Sequence, residues 1–194
     1  MSLQRPFHAL SLTTLPRPPR RPEVHHGATL DDPADSVLTD LRHSAIVVAD
    51  HLDRLADVGA LLLRAGVHMA FVADVHGELV GMVTGEHLRG EGPLRRAMAA
   101  RVHHDELTLE DLMVPLSDWA VVDAAELPRA RVGDVVQTMR MHAARYLFVT
   151  ETVEGRPALR GLFSARRIEA ELEVRIDGDD HAQSFAELEA RLGH

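Results

Sequence analysis

At 194 residues with a formal net charge of −9, the chain is long enough for one or two compact domains, and its acidity argues against a general nucleic-acid binder, which needs a basic face to displace counterions. It has no Cys, and all 21 Lys+Arg residues are Arg, which excludes disulfides, thiol chemistry, a phosphate-cradling P-loop lysine and Schiff-base catalysis. No apolar run approaches the roughly 20 residues that span a bilayer, and the N-terminus does not read as a secretory signal, so a cytoplasmic protein engaging neither membrane nor nucleic acid is expected.

Residues 1–34 form a Pro- and Arg-rich arm. Over residues 1–30, Arg5, Arg17, Arg20 and Arg21 stand against Glu23 alone, and Pro6, Pro16, Pro18, Pro19 and Pro22 forbid helix. A poorly ordered tail is the simpler expectation; a basic arm docking on an acidic partner is the functional one. Order begins at Asp35. Val37–Leu41 reads as a short strand or a turn of helix, and Ala45–Ala49 as a buried strand of small and β-branched residues. Leu52, Leu55, Ala56, Gly59, Leu62 and Leu63 then recur at helical spacing, with Asp53, Arg54, Asp57 and Arg64 between them and Gly66 as the C-cap. This predicts an amphipathic helix of about four turns. Met69–Val72 and a second apolar run ending in Gly81, Met82, Val83 and Thr84 predict an antiparallel hairpin around Gly77, and Thr84 is placed to cap a helix through Glu86 and Leu88. A loop at Gly90, Gly92 and Pro93 leads to a short helix over Leu94–Val102.

The same pattern then repeats. LTLEDLMVP at Leu107–Pro115 opens the second copy, Val132, Val135, Val136 and Met139 make its helix stripe, and Tyr146–Val149 with Ala158–Phe163 its hairpin around Gly155. Helix is expected onward from Ile168 to near Val174, followed by an acidic turn at Asp177–Asp180 and a last amphipathic helix through Phe185, Leu188 and Leu192. Placing Asp57 and Val58 on Asp134 and Val135 also places Phe71 and Val72 on Phe148 and Val149 without a gap. Gly81 and Thr84 fall on Gly161 and Ser164, Val37–Leu41 falls on Thr108–Leu112, and Ile46–Val48 falls on Ala120–Val122. The drift between these matches occurs only in the connections, where length changes are tolerated. The chain therefore divides into the arm, a first unit with its linker helix at 35–102, a second unit at 103–174 and a tail at 175–194.

GVHMAFVAD with GMVTGEHL in the first copy, AARYLFVTE with GLFSARRI in the second, and LTLEDLMVP between them resemble a tandem pair of CBS domains, the regulatory module named after cystathionine β-synthase, over roughly Asp35–Leu172. The resemblance implies an α/β chain of the α+β type: two units, each strand-helix-strand-strand-helix, packed through their sheets as a pseudo-symmetric pair. It also implies clefts that commonly take AMP, ADP or ATP as bound ligands rather than required cofactors, and association into disc-shaped homodimers.

In that family each cleft is marked by a Ser or Thr followed three positions later by Asp, the hydroxyl near the sugar and phosphates and the carboxylate accepting from the ribose diol. Thr84 and Ser164 match the hydroxyl, but the Asp positions hold His87 and Arg167. Replacing an acceptor with a donor leaves ribose hydroxyls unpaired, at about 1–3 kcal/mol each. A cation there would instead attract phosphate, so the ligand would be turned round, more anionic, or absent. Thr84 and Ser164 also serve as N-caps without any ligand. His68 and Arg145, at matching places, would face phosphates or be solvated strand ends; Val47 with Ala70, and Val121 with Leu147, would wall an adenine ring or be plain core.

The 13 histidines carry a competing chemical reading. His103, His104 and Asp105 resemble the HD pair of metal-dependent phosphohydrolases, and His25 with His26 would add a weak metal site. No HExxH or regular His spacing accompanies them, and Ser164 lacks the glycines of a nucleophile elbow. Two non-enzymatic functions remain: a sensor in which a small, adenosine-containing anionic ligand shifts the packing of the repeats, and a structural adaptor with empty clefts that dimerises or docks an unidentified protein partner through the arm or last helix.

Overall fold

Strand alternation sets the architecture. The apolar run Met69–Ala73 and its repeat from Tyr146 carry no polar face, so each strand must be covered on both sides. In the computed structural model, which describes residues 27–172 and 174–176, Ala70 and Val72 pack into a helix-side core of the first unit while Phe71 faces the second unit. Leu147 and Val149 do the same in the second unit, and Phe148 faces back. The expected acidic turn and last helix, His25 with His26, and the arm before Gly27 lie outside the described residues.

The strands are β1 (Thr39–Asp40), β2 (Val48–Asp50), β3 (Met69–Ala73), β4 (Leu79–Thr84), β5 (Val114–Pro115), β6 (Ala120–Asp123), β7 (Tyr146–Val153) and β8 (Arg156–Ser164). The α-helices are α1 (Leu55–Ala65), α2 (Gly85–Arg89), α3 (Gly92–Ala100), α4 (Val132–Met141) and α5 (Ala165–Leu172). They make the α+β pair expected: two four-stranded sheets among the described residues, ordered β2-β3-β4-β5 and β1-β8-β7-β6. Helices α1 and α4 connect the parallel pairs β2/β3 and β6/β7, and the other neighbours are antiparallel.

One connection was not visible in the sequence. The strand that leads each copy is hydrogen-bonded into the other copy's sheet: β1 lies beside β8, with Asp40 opposite Gly161, and β5 lies beside β4, with Pro115 opposite Gly81. This accounts for the glycine in both GMVT and GLFS. A Cβ on Gly161 would stand 2.8 Å from the Thr39 carbonyl oxygen, and one on Gly81 would stand 2.7 Å from that of Val114. Only glycine lets the exchanged strand approach so closely.

The helices follow their stripes, with one shortening. Helix α1 has 11 residues, about three turns rather than four. Its start is delayed because Asp50 and Asp53 build a turn: the Leu52 amide donates to the Asp50 carboxylate at 2.8 Å, and the Asp50 amide to that of Asp53 at 3.0 Å. Leu55, Val58 and Leu62 are buried, and Gly66 ends the helix in the left-handed conformation at φ 66°. All four residues of the second stripe, Val132, Val135, Val136 and Met139, are buried.

The end of the arm, expected to be poorly ordered, is instead docked where it is described. The Leu30 and Asp32 carbonyls accept the Gly133 and Val132 amides at 2.8 and 2.9 Å, satisfying donors that the first turn of α4 would leave open. Ala34 and Val37 are fully buried behind them.

Three apolar clusters result. Two lie between each sheet and its helices; the third lies between the sheets and is built from Phe71 and Met82 of one copy against Phe148 and Leu162 of the other. These four are matched positions of the repeat, so the seam is pseudo-symmetric.

Candidate functional site

Two clefts flank this seam, each bounded by both copies. The first, of about 710 Å³, runs from Thr84 and α2 to Trp119, Ala120 and the entry to β7. The second, of about 460 Å³, runs from Ser164 and α5 to Ile46, Val47 and the entry to β3. Matched positions of the repeat face each other's cleft: Thr84 and Ser164, Ala120 and Val47, Trp119 and Ile46, Tyr146 and Met69.

The backbone around the two hydroxyls is the same. Thr84 pairs with Met69 across its hairpin and Ser164 with Tyr146. The next amide, of Gly85 or Ala165, donates to the carbonyl of His68 or Arg145 at 2.9 or 3.0 Å. Thr84 is buried, and its Oγ1 accepts the His87 amide at 3.3 Å, so it does cap α2.

Seven of the ten expected site residues reach a cleft. Thr84, His87 and Arg145 line the first, Val47, Ser164 and Arg167 the second, and His68 both. Ala70 and Leu147 do not: strand alternation turns them into the helix-side cores. Val121 is 46% exposed and lines neither cleft. The expected match of Ile46–Val48 with Ala120–Val122 is off by one residue. Val48 pairs with Phe71 and Val121 with Phe148, so the true equivalents are Val48 with Val121 and Val47 with Ala120. A slip of one residue exchanges the faces of a strand.

Neither residue at the Asp positions is a spare cation. Burial lowers the pKa of His87, favouring the neutral imidazole, and its buried Nδ1 has no hydrogen-bond partner among the described residues. Arg167 is engaged: Nε pairs with the Glu171 carboxylate at 2.8 Å, and Nη1 donates to Thr39 Oγ1 at 3.1 Å.

The first cleft also holds side chains that the motif comparison passed over. The chain's single Trp, Trp119, stacks on Phe148 with centroids 4.0 Å apart and planes at 20°, and its Nε1–H donates to the Val114 carbonyl at 3.2 Å. Tyr146 is half-buried beside it, and burial raises its pKa, so its hydroxyl stays protonated. Arg89, Arg145 and Arg166 line this cleft with the carboxylates of Glu86 and Asp118. A lone Trp directly before an apolar strand was the available signal.

His103 and Asp105 are surface groups. His103 Nδ1 accepts the Asp105 amide at 3.4 Å and its own amide donates to Glu106 at 2.7 Å, a local capping arrangement with both side chains 74% exposed. Among the described residues no three His, Asp or Glu side chains are placed to hold a metal ion. Nor is any described helix long and apolar enough to cross a membrane.

No protein-family model matches the chain, and no curated protein matches it in sequence. Solved structures do. An uncharacterized conserved protein from Pyrococcus horikoshii is 15% identical, with a TM-score of 0.51, over 77% of this chain and 98% of its own. A hemolysin-like protein containing a CBS domain, from Oenococcus oeni PSU, is 19% identical with a TM-score of 0.50 over 74% and 91%. CBSX2 in complex with AMP is 19% identical with a TM-score of 0.47 over 72% and 94%. With two interlocked strand-helix-strand-strand-helix units around one pseudo-symmetric seam, the chain has the fold of a tandem CBS domain pair.

Proposed function

We propose that the chain is a non-catalytic regulatory module that senses a small, adenosine-containing anionic ligand in the first cleft. The observation that carries this reading is the convergence there of an aromatic platform, Trp119 and Tyr146, with three guanidinium groups, Arg89, Arg145 and Arg166. A purine ring stacks on such a platform, and phosphate oxygens suit planar guanidinium donors. His87, neutral, takes no part as a cation. The acceptor role for the ribose diol passes to Glu86 or Asp118, the carboxylates of the same cleft. The volume, about 710 Å³, lies within the usual range for small-molecule sites.

The shift in packing is read by a partner or by a homodimer interface, for which Leu63 on α1 and Leu94 and Met98 on α3 supply exposed apolar side chains.

The test is a thermal-shift series with AMP, ADP and ATP, followed by calorimetry and by Trp119 fluorescence. A ligand at about 100 times its Kd adds about 2.7 kcal/mol of stability. The shift is expected to shrink in Arg89→Gln, whose side chain makes no hydrogen bond or ion pair among the described residues, so the ligand-free Tm stays unchanged. No shift with any of the three, or an equal shift in the variant, would overturn this assignment and favour the adaptor with empty clefts.

A further inference from the structure

The exchanged strands β1 and β5 hold equivalent places in the two copies but are not secured alike. Thr39 pairs with Leu162 and Val114 with Met82, which are matched residues of the repeat. Thr39 is therefore equivalent to Val114, and not to Glu110 as the match of VLTDL with TLEDL implied. Each strand follows a fully buried anchor, Val37 or Leu109, so the difference lies in the strands themselves. Arg167 of α5 donates from Nη1 to Thr39 Oγ1 at 3.1 Å while Glu171 holds its Nε at 2.8 Å, and the helix is thereby fastened to β1. The equivalent pair on the other side is His87 of α2 and Val114. Valine has no polar side-chain atom to offer, and the buried Nδ1 of His87 is without a hydrogen-bond partner among the described residues. β1 also has a further rung: the Leu41 amide donates to the Arg160 carbonyl at 3.0 Å, whereas the equivalent amide, of Leu116, makes no such bond among the described residues. The turn after β1 then closes on Asp40, whose carboxylate accepts the Arg42 amide at 2.9 Å and whose carbonyl accepts the Ser44 hydroxyl at 2.7 Å. β5 is tied instead to the platform of the first cleft, because the Trp119 indole donates to the Val114 carbonyl at 3.2 Å.

We propose that the pair works asymmetrically: β1 is a fixed strap, and β5 is the strap that moves, carried by Trp119 when the first cleft is occupied. The indole N–H joins the ring on which a bound base would stack to a backbone carbonyl of β5, so turning the ring displaces the strand. On β5 that displacement acts on two paired residues, Val114 opposite Met82 and Pro115 opposite Gly81, and His87 does not fasten them. The same displacement at β1 would break the Arg167 bond and the Leu41 rung as well. Because β5 lies in the sheet of the first copy while Trp119 leads β6 of the second, its motion shifts one unit against the other. The asymmetry rests on the ligand-free contacts; its use by a ligand rests on the nucleotide reading of the first cleft.

The experiment is hydrogen exchange and chemical-shift mapping of the full chain by nuclear magnetic resonance, with and without ATP. In the ligand-free protein the Leu41 amide is expected to be at least about threefold better protected than the Val114 amide, after correction for intrinsic exchange rates. Thr39→Val keeps the β-branched shape and removes the acceptor for Arg167. It should lower the protection of Leu41 by about two- to tenfold and leave that of Val114 unchanged. Saturating ATP should shift the Val114 amide and the Trp119 indole and leave Thr39 and Leu41 in place. In Trp119→Phe, which keeps a ring to stack on but has no N–H, ATP should still bind by calorimetry while the Val114 response disappears. Equal protection of Leu41 and Val114, or a Leu41 amide untouched by Thr39→Val, would overturn the asymmetry. A Leu41 shift on ATP as large as that of Val114, or a Val114 response that survives in Trp119→Phe, would overturn the coupling. ATP that fails to bind the parent overturns the nucleotide reading and with it the ligand's use of β5, while the ligand-free comparison still decides the fastening.

Discussion

The exchanged strands make a prediction in which one chemical change has opposite signs at two places. In Gly161→Ala the new methyl would stand 2.8 Å from the Thr39 carbonyl oxygen and 3.0 Å from Leu38 Cδ1, where ordinary contact begins at 3.4 Å. The oxygen belongs to backbone and cannot rotate aside, so β1 must move off β8. That strand has only two residues, held by its pairing with Leu162 and Gly161 and by the Leu41 amide donating to the Arg160 carbonyl at 3.0 Å. Losing two such hydrogen bonds at a net of about 0.5–1.5 kcal/mol each gives a destabilisation of about 1–3 kcal/mol. In Gly59→Ala, inside α1, the methyl meets nothing within 4 Å. There the change removes helix-interior glycine, and stability should rise by about 0.5–1 kcal/mol. Urea denaturation followed by far-UV circular dichroism measures both. Gly161→Ala as stable as the parent, with Gly59→Ala raised as expected, would refute the close approach of the exchanged strand.

Two further outcomes follow from the seam and from His87. Phe148 is 1% exposed and touches rings on both sides, Trp119 at 4.0 Å and Phe71 at 6.3 Å between centroids; Phe148→Ala should cost about 3–5 kcal/mol. In a double-mutant cycle with Trp119→Leu the pair should show a coupling of about 0.5–1.5 kcal/mol beyond burial, and additive losses would mean that the stack contributes only area. Burial lowers the pKa of folded His87 below its ordinary 6.5, so the unfolded chain binds its proton more readily. Its contribution is then constant above pH 6.5 and destabilises the fold as pH falls below that value. His87→Gln should lessen the loss of stability between neutral and mildly acidic pH; an unchanged pH profile would show that the imidazole titrates as it does in water.

The repeat, the hairpins, the two helix stripes and the Thr84 cap were legible because each is written locally, in periodicity or in a capping residue. What escaped was what local pattern leaves degenerate. Ile46–Val48 and Ala120–Val122 are both unbroken apolar runs, so no polar residue marks which face is which, and a one-residue slip costs nothing in the comparison. It nevertheless moved Val121 out of the site and hid Ala120. Ala70 and Leu147 were misplaced for a related reason: in a strand covered on both sides, hydrophobicity does not say which side is the cleft. The strand exchange was signalled only by Gly81 and Gly161, whose missing side chains record contacts with residues far away in sequence.

That exchange also decides how a bound molecule would act on the protein. Each cleft joins the hydroxyl-bearing helix start of one copy to the strand entry of the other, and His68, Tyr146 and Arg166 line both clefts. Tyr146 lies 6.4 Å from Phe148 between ring centroids, at the seam between the sheets. A ligand in either cleft therefore contacts both copies at once, and its binding energy bears on their relative packing rather than on either core alone. The shift it can produce is bounded by its difference in affinity for the two arrangements. Because β1 and β5 are each anchored in the opposite sheet, the copies cannot part without breaking those ladders, which favours small rotations about the aromatic seam over separation.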